Sequence, residues 1–269
     1  MDAAALELRS ARVMIGAQSV LRIPELTVAE GELFAVMGPN GAGKSTLLRV
    51  LLGLQPLADG SVHVLGESVN ELTGGAVLRL RRRVGYIPQL LYARGELPLT
   101  VREVVAIGRT GRAGLWHRLG RADWQAVDYW LERLGIAALA GRGFGEISGG
   151  EQRKTMIACA MAQEPRLLLL DEPTANLDLG WREKLVATIQ SLYESAHLTI
   201  VLVCHEPEVL PPGCRRVALL NRGELLDVGA PSAVFTESRL AQLYGMPLSL
   251  ARQQDRYAIV PGGGARGWT

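Results

Sequence analysis

A glycine-rich segment, Gly38-Pro39-Asn40-Gly41-Ala42-Gly43-Lys44-Ser45-Thr46, constrains the fold of this chain more than any other feature. It fills the Gly-x4-Gly-Lys-Ser/Thr pattern, in which a phosphate-binding loop joins a strand to a helix. The apolar run Leu33–Met37 predicts a buried strand before the loop, and the leucine spacing of residues 45–54 predicts a helix after it. The order of strand, glycine turn and helix predicts a nucleoside triphosphate site.

Each residue type in this loop has a physical task. Glycines let backbone N–H groups close around phosphate oxygens, and the following helix points its positive dipole end at the same charge. Lys44 can reach the outer phosphates, and the Ser45 hydroxyl is placed to bind the Mg²⁺ that bridges them, while Thr46 belongs to the helix. A glycine turn that binds nothing would rarely combine both glycines, the lysine and the hydroxyl.

A second pattern is the run Leu167-Leu168-Leu169-Leu170-Asp171-Glu172, an apolar strand that ends in two carboxylates. Such a strand is buried on both faces of a sheet. Asp171 would hold Mg²⁺ or its water shell, and Glu172 would accept a proton from an attacking water. The alternative is a surface acidic pair after a core strand, which the upstream phosphate loop disfavours.

A third pattern, Ile147-Ser148-Gly149-Gly150-Glu151, opens an apolar helix and predicts a second anion site. The alternative is an ordinary N-capped helix. Here the chain resembles the ATP-binding subunits of ABC transporters, whose signature reads Leu-Ser-Gly-Gly-Gln and lies just before the carboxylate strand. The shared Ser148-Gly149-Gly150 implies phosphate contact. Glu151 replaces the glutamine, which leaves any contact by that side chain open.

The resemblance covers residues 6–245 and implies roles for three further polar positions. Gln89 matches a glutamine loop that senses magnesium and the attacking water. Asp178, in Asn176-Leu177-Asp178, matches a loop that crosses a dimer interface, and His205 matches the switch histidine that contacts the γ-phosphate. Taken singly, each would be an ordinary polar residue. The implied catalytic residues are Glu172, His205 and Gln89, and the implied magnesium ligands are Ser45, Gln89 and Asp171.

One position departs from the family pattern. The family places an aromatic residue before the first long strand to stack on adenine, whereas this sequence has Ile15, in Ile15-Gly16-Ala17-Gln18-Ser19-Val20-Leu21. Isoleucine offers apolar contact but no π face. We therefore expect weaker base discrimination than the family norm, so that GTP competes with ATP.

Composition limits the partners. The chain has 269 residues, of which 48% are hydrophobic, enough for one large core or two lobes. Its 29 basic and 27 acidic side chains nearly balance, so no field suited to nucleic acid is expected. A local basic cluster is interpreted as a solvated helix end, with a lipid headgroup or an acidic partner as alternatives; it comprises Arg79, Arg81, Arg82 and Arg83.

Other residues give weaker indications. No segment reaches the length of a membrane span and the start lacks the features of a signal peptide, so we expect a location on the cytoplasmic side of the membrane. Cys159, Cys204 and Cys214 lack metal or redox spacing and are predicted to be buried reduced thiols. His63, His117 and His197 are isolated and are interpreted as structural or exposed.

The predicted fold class is an α/β P-loop NTPase of the ABC cassette type. It has a mainly parallel sheet core, an antiparallel β part and a helical lobe that carries the signature. We expect an ATPase domain over residues 6–245, with its core in 6–88 and 163–245 and its lobe in 90–162. Residues 246–269 form a C-terminal extension whose end is expected to be mobile.

The resemblance also implies partners. ATP and Mg²⁺ would lie between Lys44 of one copy and Ser148 of a second copy, paired head to tail. Residues 99–109 and 243–250 look similar to subunits that import iron siderophores, haem, cobalamin, zinc or manganese, so a transmembrane permease and an extracytoplasmic binding protein are expected. The lobe near residues 89–115 would receive a coupling helix of the permease. The alternatives are a soluble cassette, as in iron–sulfur cluster assembly, and an exporter.

Overall fold

A computed structural model of the chain describes residues 3–89, 98–114, 118–196, 198–253 and 256–261. Its strands are β1 Ala4–Ile15, β2 Gln18–Ala29, β3 Leu33–Met37, β4 Asp59–Val64, β5 Glu67–Ser68, β6 Val84–Ile87, β7 Leu167–Asp171, β8 Thr199–Cys204, β9 Arg216–Asn221, β10 Glu224–Gly229, β11 Leu248–Gln253 and β12 Arg256–Pro261. Its helices are α1 Lys44–Leu51, α2 Gly75–Arg82, α3 Val101–Ala113, α4 Arg121–Arg133, α5 Gly149–Ala162, α6 Leu179–Ala196, α7 Pro231–Val234 and α8 Glu237–Tyr244.

Some residues named in the sequence predictions lie outside the described residues. They are residues 90–97 and 115 of the segment expected to meet a coupling helix, His117, His197, and the glycines near the C-terminus.

Most of the strands form a single sheet in the order β5-β4-β1-β2-β10-β9-β3-β8-β7-β6. From β9 through β3, β8 and β7 to β6, neighbouring strands run parallel. At the other end of the sheet, β1 pairs antiparallel with both β2 and β4. This arrangement confirms the predicted fold class, a mainly parallel core with an antiparallel part.

The central strands are buried on both faces of the sheet. Successive side chains along each strand belong to two different hydrophobic clusters, one on each face. In β3, Leu33, Ala35 and Met37 pack with the helices of the lobe, whereas Phe34 and Val36 pack with α1 and the antiparallel strands. The leucines of β7 are fully buried and alternate in the same way. Burial on both faces is the environment of a parallel strand, as the apolar runs predicted.

Three helices, α3, α4 and α5, form the predicted helical lobe. Thr100 begins α3 through a capping box with Glu103, in which the Thr100 hydroxyl and Glu103 carboxylate satisfy each other's backbone N–H groups. A Cβ on Gly108 would lie 2.0 Å from the carbonyl oxygen of Cys159, so α3 and α5 approach closely only because this residue is glycine. The apolar faces of the three helices join the core on that side of the sheet.

The C-terminal strands β11 and β12 form a hairpin that packs against the rest of the molecule. Leu248 and Tyr257 are buried, and the Tyr257 ring meets Phe235 edge to face at a centroid distance of 5.2 Å. The backbone N–H of Ile259 donates to Glu208 Oε1 at 2.8 Å. The boundary at residue 245 between an ATPase domain and an extension stays a prediction.

Two arginines of the basic cluster are structural. Arg81 donates to the carbonyl oxygens of Leu52 and Gly53, just beyond the end of α1, and Arg83 pairs with Glu67. The interpretation as a solvated helix end is therefore wrong for these two residues, while Arg79 and Arg82 are exposed.

The three cysteines were expected to be buried reduced thiols. Cys204 and Cys214 are buried and Cys159 is partly buried, and all are free thiols. Burial raises the pKa of Cys159 to about 11, so this thiol stays protonated at neutral pH.

Within the described ranges, no helix combines the length and apolarity needed to cross a membrane.

Candidate nucleotide-binding site

The phosphate loop lies where the sequence predicted it, between the end of β3 and the start of α1. Gly41 and Gly43 adopt left-handed backbone conformations, with φ of 79° and 98°. A Cβ on Gly38 would lie 2.2 Å from the carbonyl oxygen of Leu220, so the loop can follow this path only with glycine there. The result is a cradle of backbone N–H groups at the N-terminus of α1, where an anion is favoured.

A cleft of about 480 Å³ opens over this loop. It brings together residues from distant parts of the sequence; its lining comprises Ile15, Val20, Asn40, Gly41, Ala42, Gly43, Lys44, Ser45, Thr46, Gln89 and Glu172. Ile15 lies at the end of β1 and is 60% exposed, so its side chain is available to a ligand. The cleft thus joins the predicted phosphate loop, the predicted base contact and two of the predicted catalytic residues.

Lys44 is buried and its ammonium group is fully engaged. Its Nζ donates to the carbonyl oxygens of Gly38 at 2.7 Å and Pro39 at 3.0 Å, and lies 3.2 Å from Glu172 Oε1. Both charged side chains are at most 7% exposed, so the attraction between them is little screened. The lysine and the predicted general base therefore face each other across the bottom of the cleft.

Ser45 and Asp171, predicted to share a magnesium ion, are in direct contact. The Ser45 hydroxyl donates to Asp171 Oδ2 at 3.1 Å, and the Tyr86 hydroxyl lies 3.5 Å from the same oxygen. Burial raises the pKa of Asp171, while the hydrogen bond from Ser45 opposes that rise. A hydroxyl and a buried carboxylate are the hard oxygen donors that Mg²⁺ prefers, so these residues fit the ion.

Gln89, the third predicted magnesium ligand, makes a different contact. Its amide Nε2 donates to Glu172 Oε2 at 2.8 Å. Glu172 itself has φ of 46°, a left-handed conformation that is strained for a residue with a side chain. Strain of this kind is typical of functional sites, and the Glu172 carboxylate contacts both Gln89 and Lys44.

His205 completes a second cleft of about 340 Å³, which also contains Gln89 and Glu172. Its Nδ1 lies 3.3 Å from Glu172 Oε2 and its Nε2 lies 3.3 Å from Glu206 Oε1. The buried Nδ1 nevertheless forms no hydrogen bond with any described residue. A buried ring nitrogen without a hydrogen bond is uncommon, and it marks His205 as a candidate functional residue.

The signature residues lie at a separate surface. Ser148 begins α5 through a capping box with Glu151: its hydroxyl donates to Glu151 Oε2 at 2.7 Å and its backbone N–H donates to the same oxygen at 2.8 Å. These bonds lower the pKa of Glu151, which stays ionised. Ser148 and Gly149 are exposed and do not line the cleft over the phosphate loop.

Asp178 also lies apart from the phosphate loop, next to the signature. Its Oδ1 accepts a hydrogen bond from the backbone N–H of Trp181 at 2.9 Å and so caps α6. The Trp181 ring covers the second signature glycine, because a Cβ on Gly150 would lie 2.1 Å from Trp181 Cδ2. The loop at Asp178 and the signature are therefore packed together.

Sequence reasoning missed three residues at these sites. Tyr86 contacts Asp171, Trp181 covers Gly150, and Arg153 bonds to the backbone at Gln89. Tyr86 could have been found from its place three residues before Gln89. No spacing rule marks Arg153 or Trp181, because each acts on a segment that is remote in sequence.

Comparison with known proteins defines the class. Residues 21–175 match the ABC transporter family. The hemin import ATP-binding protein HmuV of Streptomyces coelicolor is 39% identical over 239 residues, covering 89% of this chain and 82% of that protein. The zinc transport system ATP-binding protein TroB of Treponema pallidum is 33% identical, covering 84% of this chain and 81% of that protein.

Solved structures agree in fold. A chain from an ABC transporter described as of metal-chelate type, in an inward-facing conformation, superimposes with a TM-score of 0.81 at 27% identity and covers 96% of this chain and 97% of that one. The ATP-binding cassette MJ0796, a dimer bound to ADP and Pi, gives a TM-score of 0.72 at 26% identity, covering 84% of this chain and 98% of that one.

Fold and site together define an ATP-binding cassette with the machinery of an ATPase. The chain belongs to the ABC transporter family. This confirms the resemblance that the phosphate loop, the signature and the carboxylate strand indicated.

Proposed function

We propose that this chain is the ATPase subunit of a membrane importer whose cargo is a metal or a metal chelate, such as an iron siderophore. The observation that carries the ATPase role is the cleft that places Lys44, Glu172 and Gln89 around the phosphate loop. The import role is supported by the relatives named for hemin and zinc, and by the structural match of metal-chelate type.

In this proposal each residue has a task in hydrolysis. The backbone of residues 38–46 binds the phosphates of ATP, and Glu172 accepts the proton of the attacking water. Ser45 and Asp171 would hold Mg²⁺, which neutralises charge on the phosphates when bound. His205 would contact the γ-phosphate from the cleft that it shares with Glu172, and Gln89 orients the Glu172 carboxylate through its amide.

The exposed signature supports a head-to-tail dimer. Ser148 and Gly149 present the N-terminus of α5 to solvent, and this chain's own phosphate loop lies elsewhere. A second copy could bring its Ser148 onto the nucleotide held at Lys44, with Asp178 at the interface. ATP then stabilises the closed dimer, and hydrolysis releases it, because only the closed state makes contacts to the γ-phosphate from both copies.

The partners follow from this role. A transmembrane permease would contact the helical lobe, and an extracytoplasmic binding protein would deliver cargo to that permease. The subunit would then lie on the cytoplasmic side of the membrane. Nucleic acid is not expected as a partner, because basic and acidic side chains nearly balance.

The test is affinity purification of Glu172→Gln from detergent-solubilised membranes in the presence of ATP. Removing the base while keeping the shape should trap an ATP-bound dimer, lower turnover by about 100-fold or more, and retain a multi-span permease. Lys44→Ala should weaken ATP binding by about tenfold through loss of a charged contact.

The double variant Lys44→Ala/Glu172→Gln is the matched control, because it keeps the Glu172→Gln substitution but binds ATP poorly. It should recover little permease with ATP present. Normal hydrolysis by Glu172→Gln would contradict the role of the base. Recovery of only soluble scaffold proteins would contradict the transporter role and favour a cluster-assembly cassette.

A further inference from the structure

Arg153, in α5, is a buried cation to which the proposed mechanism gives no task. It is 5% exposed, and within the described segments no carboxylate lies at ion-pairing distance from it. Burial lowers the pKa of Arg153, and the more distant Asp171 opposes this effect. A buried charge without a counter-ion is costly unless its hydrogen bonds compensate. The bonds that Arg153 makes therefore indicate what the residue is for.

Those bonds go to two successive carbonyl oxygens at the end of β6. Nη1 of Arg153 donates to the carbonyl oxygen of Pro88 at 3.0 Å, and Nη2 donates to that of Gln89 at 2.6 Å. The planar fork of a guanidinium suits a pair of neighbouring acceptors. The helix that starts at the signature is thus bonded directly to the backbone of the glutamine loop, 64 residues earlier in the chain.

The connection continues into the hydrolytic site. The Gln89 side chain donates to Glu172 Oε2 at 2.8 Å, and Glu172 faces Lys44. Arg153 thus links α5 to the Gln89 backbone, and the Gln89 amide links that residue to the carboxylate. Ser148, at the start of the same helix, lies five residues before Arg153, so α5 links the signature surface to this path.

We propose that Arg153 is a positioning residue, which holds the Gln89 backbone in place and couples the signature helix to the Glu172 carboxylate. This inference rests on the proposed role of Gln89 in hydrolysis. It assigns Arg153 no contact with the nucleotide, because α5 contributes nothing to the lining of the cleft over the phosphate loop.

The experiment compares Arg153→Met with Lys154→Met. Lys154 is the matched control, since it is the next residue of α5 and also donates to a backbone carbonyl oxygen, that of Leu134 at 3.0 Å, but within the helical lobe. Arg153→Met should lower kcat by about tenfold, the scale of a lost charged hydrogen bond, and leave ATP affinity within about twofold. Lys154→Met should leave kcat within about twofold of the wild type.

Two further measurements separate positioning from general structural support. Amide hydrogen exchange in the peptide that contains Gln89 should accelerate at least about fivefold in Arg153→Met without nucleotide, and should not change in Lys154→Met. Arg153→Lys, which keeps the charge but loses the fork, should restore part of kcat. If Arg153→Met fails to fold, Arg153→Lys is compared with Lys154→Met in the same measurements.

The decisive test is a double-mutant cycle with Gln89→Ala. If Arg153 acts through Gln89, Arg153→Met should change kcat by less than about twofold in the Gln89→Ala background. A tenfold loss in that background, or a matching loss of ATP affinity, would overturn the inference. Wild-type activity of Gln89→Ala would instead show that the proposed role of Gln89 is wrong, so the two failures are distinguishable.

Discussion

At the residue scale, we expect Ile15 to determine how the base is recognised. Ile15 and Val20 line the cleft, and Ile15 presents an aliphatic side chain that is 60% exposed. We predict that GTP competes with ATP within about tenfold in affinity, and that Ile15→Tyr tightens ATP binding by about three- to tenfold by adding an aromatic face. Competition titrations with both nucleotides measure this.

The control is Leu78→Tyr, which adds the same ring at a position of similar exposure on α2, outside the cleft. It should leave both affinities unchanged. A wild-type protein that prefers ATP over GTP by more than about 100-fold would contradict the prediction, because aliphatic contact alone supplies little discrimination between bases.

Residues whose task is local were predictable from sequence, and residues that act across the fold were not. The phosphate loop follows from the spacing of glycines, lysine and serine, and the Asp171-Glu172 pair from its place after an apolar strand. The Gln89 contact to Glu172, by contrast, joins residues 83 positions apart. Spacing carries no information about which side chains meet when strands β6 and β7 become neighbours in the sheet.

At the element scale, a sequence motif locates a helix start without showing which side chain caps it. The helix α6 begins at Leu179, where Asp178 caps its first turn. The resemblance assigned Asp178 only to a dimer interface, so its capping role was missed. The start of α5 was predicted correctly from Ser148 and the glycines, but the reciprocal bond with Glu151 depends on side-chain geometry that the motif does not state.

The charge at the start of α5 gives a prediction at this scale. Glu151 places an ionised carboxylate beside Ser148, where the proposed dimer brings a phosphate. Glu151→Gln keeps the capping box and removes the charge. In the Glu172→Gln background, we expect the Glu151→Gln variant to form the dimer at an ATP concentration about three- to tenfold lower. The reason is that like charges a few ångströms apart repel by about 1 kcal/mol. Analytical ultracentrifugation across an ATP series measures this.

Glu103→Gln is the matched control, because Glu103 forms the same capping box with Thr100 at the start of α3. It should not shift the ATP requirement. The effect of Glu151→Gln should shrink at high salt, which screens exposed charges. An unchanged ATP requirement in Glu151→Gln at low salt would show that the carboxylate does not oppose the phosphate.

At the scale of the whole molecule, the C-terminal part of the chain reaches His205. The Tyr244 hydroxyl, at the end of α8, donates to the carbonyl oxygen of His205. In the hairpin that follows, Ile259 is bonded to Glu208, three residues after His205, and Arg256 is bonded to Glu183 in α6. We therefore expect the position of His205 to depend on residues that the family motifs do not include.

We predict that Tyr244→Phe lowers kcat by about threefold to tenfold and leaves ATP affinity unchanged. The substitution removes a single hydroxyl and leaves the His205 carbonyl oxygen without this donor, a cost of about 1–3 kcal/mol. Steady-state hydrolysis and nucleotide titration separate the two effects. Wild-type kcat in Tyr244→Phe would show that this bond does not hold the histidine.

A chain truncated after residue 245 extends the test to the hairpin. It should still bind ATP, because the hairpin contributes no residue to the cleft over the phosphate loop. It should unfold at a temperature lower by several degrees, since losing the buried Leu248 and Tyr257 costs about 2–5 kcal/mol each. If the truncated chain keeps both its thermal stability and its kcat, the hairpin is independent of the cassette, and Tyr244 alone, on α8, carries the link to His205.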